Sequence, residues 1–433
     1  MNLTLIKKNK NTLNSETITL NEPDEIFIPL KQGECEECTP CVKTGDRVKI
    51  GDIVGKPVSE YGVPVHSGVS GLVTEITESG DKCAYVRIKS DGLQYVSDSV
   101  VTPVIGSKQS LIEAVRASGL CGQSGAGLPT HMKLSTDKKI DTLIVNCCEC
   151  EPYITSDHRE IIEKSDDIKT GAGLVTKYLD IPHCIFALPK GEREAADILR
   201  AAALEINGGE VRTVPAGYPN GSDKVLAYLC TKRRIKASQS PDDQGLLILN
   251  VSTVGFIGRY SKDGMPLVKR RVTVDGSAVR TPCNVYAVIG TPVSQLLEFA
   301  DCRLEAVWHI LSGGPMMGKE IDGISSPVTK TMNAITASTE PIRDKKYIEA
   351  NRVTNCFRCG RCVEACPVGL IPNLLETAFD KGNVQKLRKL HNEACLECGA
   401  CSYVCPAKRE LTDKIARSKQ LTSEPNDEKE GGI

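Results

Sequence analysis

Cys356-Phe357-Arg358-Cys359-Gly360-Arg361-Cys362-Val363-Glu364-Ala365-Cys366-Pro367 returns, with the same spacing, as Cys395-Leu396-Glu397-Cys398-Gly399-Ala400-Cys401-Ser402-Tyr403-Val404-Cys405-Pro406. Such a run sets three thiolates around one corner of an iron–sulfur cube, and the fourth cysteine, redirected by its proline, reaches across to a neighbouring cube. The pattern predicts one 4Fe–4S cluster on Cys356, Cys359, Cys362 and Cys405, and a second on Cys395, Cys398, Cys401 and Cys366. Zinc also takes four cysteines, but typically as two pairs rather than two runs of four. Disulfides between cysteines this close would close strained loops. The chemistry implied is the movement of electrons.

Between the runs, Pro372 marks a helix start followed by Leu374-Leu375 and Phe379. After a break at Lys381-Gly382, the residues Val384, Leu387 and Leu390 form a second apolar stripe. The spacing predicts a helical two-cluster ferredoxin module over 336–420 and a polar, disordered tail over 421–433.

With 433 residues, the chain has room for three or four domains of about 100–150 residues. A formal net charge of −1 gives no support to nucleic-acid binding or to an electrostatic grip on anionic lipid. Twenty cysteines, many of them clustered, point to metal and redox chemistry in a reducing compartment. The first residues lack the apolar stretch of a signal peptide. The longest apolar segment, Gly245 to Gly258, is too short to span a bilayer. The expected location is therefore cytoplasmic, with any membrane attachment made through partner subunits.

Residues 1–103 read as all-β. Val42 to Asp52 alternates and is punctuated by Gly-Asp turns, and Val63 to Val73 has the same look. Two such halves resemble the barrel-sandwich fold of lipoyl and biotinyl carriers, although the modification-site lysine of those carriers is not evident. From 104 to 244 helices alternate with strands, such as Asp141 to Asn146 and Ile181 to Leu188, which argues a mainly parallel, helix-covered sheet. Residues 245–335 return to β-rich alternation, as in Arg271 to Gly276, and fit a small β-grasp module.

Two segments in the α/β section carry possible chemistry. Gly119-Leu120-Cys121-Gly122-Gln123-Ser124-Gly125-Ala126-Gly127-Leu128-Pro129-Thr130 is a glycine loop whose amides can approach an anion. Its order, G-x-x-G-x-G, is not the dinucleotide fingerprint, and a loop that merely turns the chain fits equally well. Asn146-Cys147-Cys148-Glu149-Cys150-Glu151-Pro152 follows a strand end, where α/β sheets bind ligands.

These segments, together with Tyr218-Pro219-Asn220-Gly221-Ser222-Asp223-Lys224, Gly313-Gly314-Pro315-Met316-Met317-Gly318 and both cysteine runs, resemble the RnfC family. More distantly they are similar to the flavin-bearing, NADH-oxidising subunit of respiratory complex I. The resemblance covers nearly the whole chain and implies the order barrel-sandwich hybrid, complex I-like flavin domain, β-grasp of the SLBB kind, and ferredoxin. It implies FMN on the glycine loop, reduced by NADH, with the flavin converting a two-electron hydride into single electrons for the clusters. Carried over by position, Gly122, Gly125, Gly127 and Lys133 hold phosphate, and Asn146 bonds the ribityl chain or ring edge. Glu149 and Glu151 line the nucleotide pocket as the catalytic pair, and Asn220 and Asp223 close it. The family loop usually reads G-G-A-G-F-P-T, so Ser124 and Leu128 are departures. They favour an alternative in which the chain is a flavin-free relay.

The expected acceptor is a protein. Either the chain is a soluble donor to a reductase such as proline reductase, or it is the peripheral RnfC component of an ion-translocating Rnf complex, docked on membrane subunits. Eight cluster ligands leave twelve other cysteines. For Cys35, Cys38 and Cys41 three readings stand open: thiol–disulfide exchange, a further metal site, or plain free thiols. Cys147, Cys148 and Cys150 crowd the pocket, while Cys83, Cys184, Cys230, Cys283 and Cys302 read as buried fillers.

Overall fold

The computed structural model describes residues 3–77, 84–125, 127–339 and 353–423. Cys83, Ala126 and most of the expected tail lie outside them. The helix Leu411–Ser423 carries regular structure into the start of that tail.

The N-terminal module is two small sheets face to face. One has the order Glu25–Pro29, Tyr85–Ser90, Gly71–Ile76, Arg47–Val48, and the other Thr39–Pro40, Ile53–Lys56, Val65–His66. Alternation sets the core: Ile26 and Ile28 turn inward and their neighbours outward, so that Ile26, Ile28, Val54, Val73, Val86 and Ile88 close a fully buried cluster. The barrel-sandwich expectation holds.

The central layer is a four-stranded parallel sheet in the order Gly209–Val214, His183–Pro189, Thr142–Asn146, Leu246–Asn250. Helices Lys108–Ala117, Ser165–Tyr178, Arg193–Leu204 and Val251–Asp263 contribute to its main core. Here the expected boundary at 244/245 is corrected. Leu246–Asn250 is buried at every position, as a parallel strand covered on both faces must be, and it pairs in register with Thr142–Asn146. The helix after it crosses Ser165–Tyr178 so closely that a Cβ on Gly171 would lie 2.0 Å from the Val254 carbonyl oxygen. Residues 246–263 thus belong to the α/β layer and not to the β-grasp module.

The next sheet has six strands: Thr17–Thr19, Cys283–Val288, Lys269–Asp275, Ala334–Ser338, His309–Ser312 and Lys319–Glu320. Helix Val293–Phe299 packs on it through Val293, Leu296 and Leu297. Its outermost strand, Thr17–Thr19, comes from the N-terminal segment and runs parallel to Cys283–Val288. The expected domain 1–103 therefore gives its first strand to a different module, and the strand ending at Ser338 carries this module past residue 335.

The C-terminal module is helical, as expected, with Arg361–Ala365, Pro372–Asp380, Val384–Lys389, Ala400–Tyr403 and Leu411–Ser423. Leu375, Ala378, Leu387 and Ile415 form its core. Among the described residues no helix is long and apolar enough to cross a membrane.

Candidate functional site

Asn146 and Asn250 end neighbouring parallel strands and are paired in register. The chain leaves Thr142–Asn146 to form the strand on one side, while Leu246–Asn250 lies on the other. Their carboxyl ends are thus a topological switch point, where open α/β sheets bind ligands. Asn250 caps the following helix, its Oδ1 accepting from the Ser252 N–H at 2.9 Å and the Thr253 N–H at 3.3 Å. Its Nδ2 donates to Asp157 at 2.6 Å.

The glycine loop is pinned over this edge. The Gln123 N–H donates to Thr253 Oγ1 at 3.0 Å, and the buried Arg270 guanidinium donates to the Gln123 carbonyl at 2.6 Å. The Gly122 N–H closes the loop on the Leu128 carbonyl at 2.8 Å. Gly125, at φ +111°, faces open space. Gly127, at φ +72°, is wedged between the barrel loop and the six-stranded module, where a Cβ would lie 2.9 Å from the Gly33 Cα and 2.4 Å from Thr331 Cγ2. Leu128 is exposed. Lys133 donates to the Ile248 carbonyl at 3.3 Å and pairs at 3.8 Å with Asp223, the first residue of helix Asp223–Thr231.

Asn146 braces two segments at once: its Nδ2 donates to the Gly221 carbonyl at 2.8 Å and its Oδ1 accepts from the Cys148 N–H at 3.0 Å. Asn220 is wholly buried. Its Nδ2 donates to the Pro215 carbonyl at 3.0 Å, and its Oδ1 has no partner among the described residues.

The two glutamates do something sequence reasoning did not foresee. Glu149 caps helix Ser156–Glu163 from outside, accepting from Ser156 Oγ at 3.2 Å, from the Asp157 N–H at 2.9 Å and from the His158 N–H at 3.4 Å. Glu151 accepts from the Met316 N–H at 3.0 Å and the Met317 N–H at 2.8 Å, and so holds the Gly313–Gly318 loop. Burial pushes its carboxyl up to about 7 against the pull of those two amides. Asp157 sits between Asn250 and Ser252, and burial together with the nearby Glu149 raises it to about 6. Gln123, Asp157, Asn250 and Thr253 were missed in the sequence. An apolar strand followed by Asn and then Ser-Thr is a helix-cap signature that would have found the last two.

The residues present fit a flavin phosphate and its polar chain. A Cβ at Gly125 would meet nothing, which leaves an open cradle beside the loop amides, and Lys133 supplies a cation. Buried orphan atoms flank the edge, Asn220 Oδ1 as acceptor and Gln123 Nε2 as donor.

In the C-terminal module Cys356, Cys359, Cys362 and Cys405 line one cavity, and Cys366, Cys395, Cys398 and Cys401 line a second. The two runs repeat one backbone. Arg358 and Glu397 are left-handed at φ +53° and +54°, Gly360 and Gly399 both at φ +78°. That twist turns the Arg358 N–H onto Cys356 Sγ and the Glu397 N–H onto Cys395 Sγ, each at 3.4 Å. Among the described residues no three His, Cys, Asp or Glu converge tightly enough to hold a single metal ion. Thiols spread around a cavity match a cube of iron and sulfur better than one zinc.

Of the remaining cysteines, Cys147, Cys148, Cys184, Cys230 and Cys283 are buried and Cys302 half-buried. Burial raises the thiols of Cys147, Cys148 and Cys184, so they have the character of core fillers rather than nucleophiles. Cys35, Cys38 and Cys41 do not gather into one group. Cys35 donates to the Gly127 carbonyl and is buried with Cys121, Cys38 donates to the Val63 carbonyl, and the exposed Cys41 donates to the Ile53 carbonyl.

Comparison with known proteins places these modules. Residues 4–92 match the RnfC barrel sandwich hybrid domain, 115–259 the Nuo51 FMN-binding domain, and 332–408 the 4Fe-4S dicluster domain. The corresponding subunit of the proton-translocating ferredoxin:NAD(+) oxidoreductase complex of Clostridium ljungdahlii is 32% identical over 86% of this chain and 82% of its own length. That of the Na(+)-translocating ferredoxin:NAD(+) oxidoreductase complex of Acetobacterium woodii is 32% identical over 81% of this chain and 80% of its own. A subunit of the ion-translocating oxidoreductase complex of Klebsiella pneumoniae is 35% identical over 86% of this chain, which spans only 50% of that longer protein. A chain of the NAD+-reducing [NiFe]-hydrogenase shares the fold, with a TM-score of 0.52 at 15% identity, covering 74% of this chain and 68% of that one. With an FMN-binding domain and a 4Fe–4S dicluster domain in one electron-transfer polypeptide, the chain belongs to the RnfC family.

Proposed function

We propose that this chain takes a hydride from NADH on FMN held at the glycine loop, and passes the electrons singly through two 4Fe–4S clusters to a protein acceptor. The observation that carries the reading is the segment Tyr218–Lys224. Midway along it Gly221 is held by Asn146 at the sheet edge, and at its start the Tyr218 hydroxyl donates to the Cys398 carbonyl beside the second cavity, at 2.7 Å. One stretch of chain thus joins the flavin edge to a cluster site.

In this reading Gly122, Gly125 and Gly127 offer loop amides to phosphate and Lys133 supplies the countercharge, while Asn146 and Asn220 orient the polar chain. Glu149 and Glu151 shape the pocket as positioning residues, because their oxygens already accept backbone N–H groups. Asp223 holds Lys133 in place. The flavin supplies the step from two electrons to one. The eight cysteines act as two quartets, each drawing its fourth member from the other run.

For the acceptor, the relatives' names favour an ion-translocating complex, on which this chain sits as a peripheral subunit. Those names also pair ferredoxin with NAD(+), so flow in either direction fits the same site. A separate reductase such as proline reductase, the other expectation, draws no support from these relatives, and the match to an FMN-binding domain speaks against a flavin-free relay. Anaerobic purification followed by iron and flavin analysis, with and without NADH, tests the core. About eight irons per chain, bound FMN and bleaching by NADH are expected. Iron without flavin and no response to NADH would overturn it.

A further inference from the structure

Cys35 comes from the barrel loop and Cys121 from the segment between helix Lys108–Ala117 and the glycine loop, yet the fold buries the two side chains together. With Val63 they form a small apolar cluster, Cys35 at 4% and Cys121 at 0% exposure. Cys35 Sγ also reaches the Gly127 carbonyl at 3.3 Å. The pair therefore touches both ends of the loop, just before Gly122 and again at Gly127.

The cluster holds an unusual cation. Lys330 is 1% exposed and donates to the Pro64 carbonyl at 2.8 Å. Among the described residues no carboxylate pairs with it, and the ionisable groups facing it are the thiols of Cys121, Cys35 and Cys38 and the imidazole of His66. His66 is buried with Nδ1 unpartnered among the described residues, and burial beside Lys330 lowers it to about 3, so it stays neutral. Burial pulls Lys330 down toward the neutral amine, and the neighbouring thiols of Cys121, Cys35 and Cys38 oppose that pull. The neighbouring Cys35, then Lys330 and Arg270, pull the Cys121 thiol down, while Cys121 and burial push the Cys35 thiol up. One thiolate beside one thiol, in contact, is the reduced half of a disulfide couple.

We propose that Cys35 and Cys121 form a redox-active dithiol–disulfide pair beneath the glycine loop, a two-electron site that exchanges electrons with the flavin bound there. This rests on the reading of that loop as the flavin site. In the oxidised form one S–S bond joins the two sulfurs. Reduction breaks it and leaves a thiol on Cys35 and a thiolate on Cys121, taking up two electrons and one proton. NADH supplies both as a hydride, with NAD+ leaving, so the exchange balances as NADH and the disulfide giving NAD+, the Cys35 thiol and the Cys121 thiolate. In the reverse sense the dithiol returns two electrons to oxidised flavin. The C-x-x-C spacing suggested Cys35 with Cys38; the fold instead pairs Cys35 with a residue of another module.

The test uses the intact holoprotein under anaerobic conditions. It is oxidised with diamide, the free thiols are alkylated, and disulfide-linked peptides are mapped by mass spectrometry before and after NADH. A Cys35–Cys121 cross-linked peptide is expected after oxidation, and its loss after NADH. The Cys35→Ser protein should lack that peptide, whereas Cys283→Ser should retain it. A reductive titration should consume about three hydride equivalents in the oxidised wild type and about two in Cys35→Ser, since one flavin and two clusters account for four electrons. Cys35 and Cys121 found singly alkylated after oxidation would overturn the pair, as would a cross-link that survives full reduction of the flavin. If NADH fails to bleach the flavin, photochemical reduction replaces it. Loss of the cross-link then supports the pair although the donor assignment has fallen, and persistence overturns it.

Discussion

Tyr218, wholly buried in the α/β layer, donates its hydroxyl to the carbonyl of Cys398 in the cluster module at 2.7 Å. The contact sits in an apolar seam with Ala365 and Ala400. Removing the hydroxyl leaves a buried carbonyl short of its donor, a loss of about 1–3 kcal/mol. Tyr218→Phe is expected to lower the melting temperature. In stopped flow it should slow reduction of the clusters by NADH while leaving flavin bleaching fast. Equal slowing of both would place the tyrosine's effect at the flavin instead.

The crossed cysteine quartets make a prediction that single substitutions cannot. If Cys366 serves the second cluster and Cys356 the first, the double variant Cys356→Ser/Cys366→Ser loses both, and iron falls from about eight per chain to near none. Cys366→Ser/Cys395→Ser damages one quartet only and should keep about four irons. Uncrossed quartets would give the opposite pattern, so iron analysis of the two proteins decides between them.

Glu151 carries a pH signature. Its carboxyl is raised from the ordinary value of 4.5 to about 7 by burial, so folding favours its protonated form. The contribution to stability is fully present below about pH 4.5 and is lost as pH rises through about 7, a change of about 3 kcal/mol. Thermal unfolding across about pH 5 to 8 should show wild type losing stability toward alkaline pH more steeply than Glu151→Gln. Gln keeps one of the two backbone bonds, so the slope rather than the absolute stability is the readout.

Gly125 and Gly127 differ in what surrounds them. At Gly125 an alanine meets open space, and the penalty is the left-handed backbone alone, about 1–2 kcal/mol. At Gly127 the same change drives a methyl to 2.4 Å from Thr331 Cγ2, with the Gly33 Cα only 2.9 Å away to block any retreat. Gly127→Ala should therefore cost more stability and lift the loop from the barrel. FMN affinity by fluorescence quenching should fall further for Gly127→Ala than for Gly125→Ala.

Much of this architecture was legible in the sequence because its signals are local. The cysteine runs, the helix start at Pro372 and the alternation with Gly-Asp turns over Val42 to Asp52 each declare themselves within a few residues. Leu246–Asn250 was misassigned for a physical reason: a strand buried on both faces has no alternation, and only its parallel partner far upstream shows which sheet it joins. The glutamates were placed on the lining of a nucleotide pocket by the family resemblance, position by position. Their commitment to backbone amides at Asp157, Met316 and Met317 depends on loops brought together by the fold. The partnership of Cys35 with Cys121 is likewise a product of one module resting on another, which no spacing rule reports.

The strand Thr17–Thr19 lies parallel to Cys283–Val288, with Thr17 opposite Asn284. During synthesis this opening segment emerges long before its partner exists, and a parallel pairing across so much chain is a late, slow contact. The nascent chain must hold an unpaired edge while the barrel and the α/β layer form between the two strands. Fusing a bulky tag at the beginning should thus disturb the assembly of the distant six-stranded sheet before it disturbs the barrel next to it.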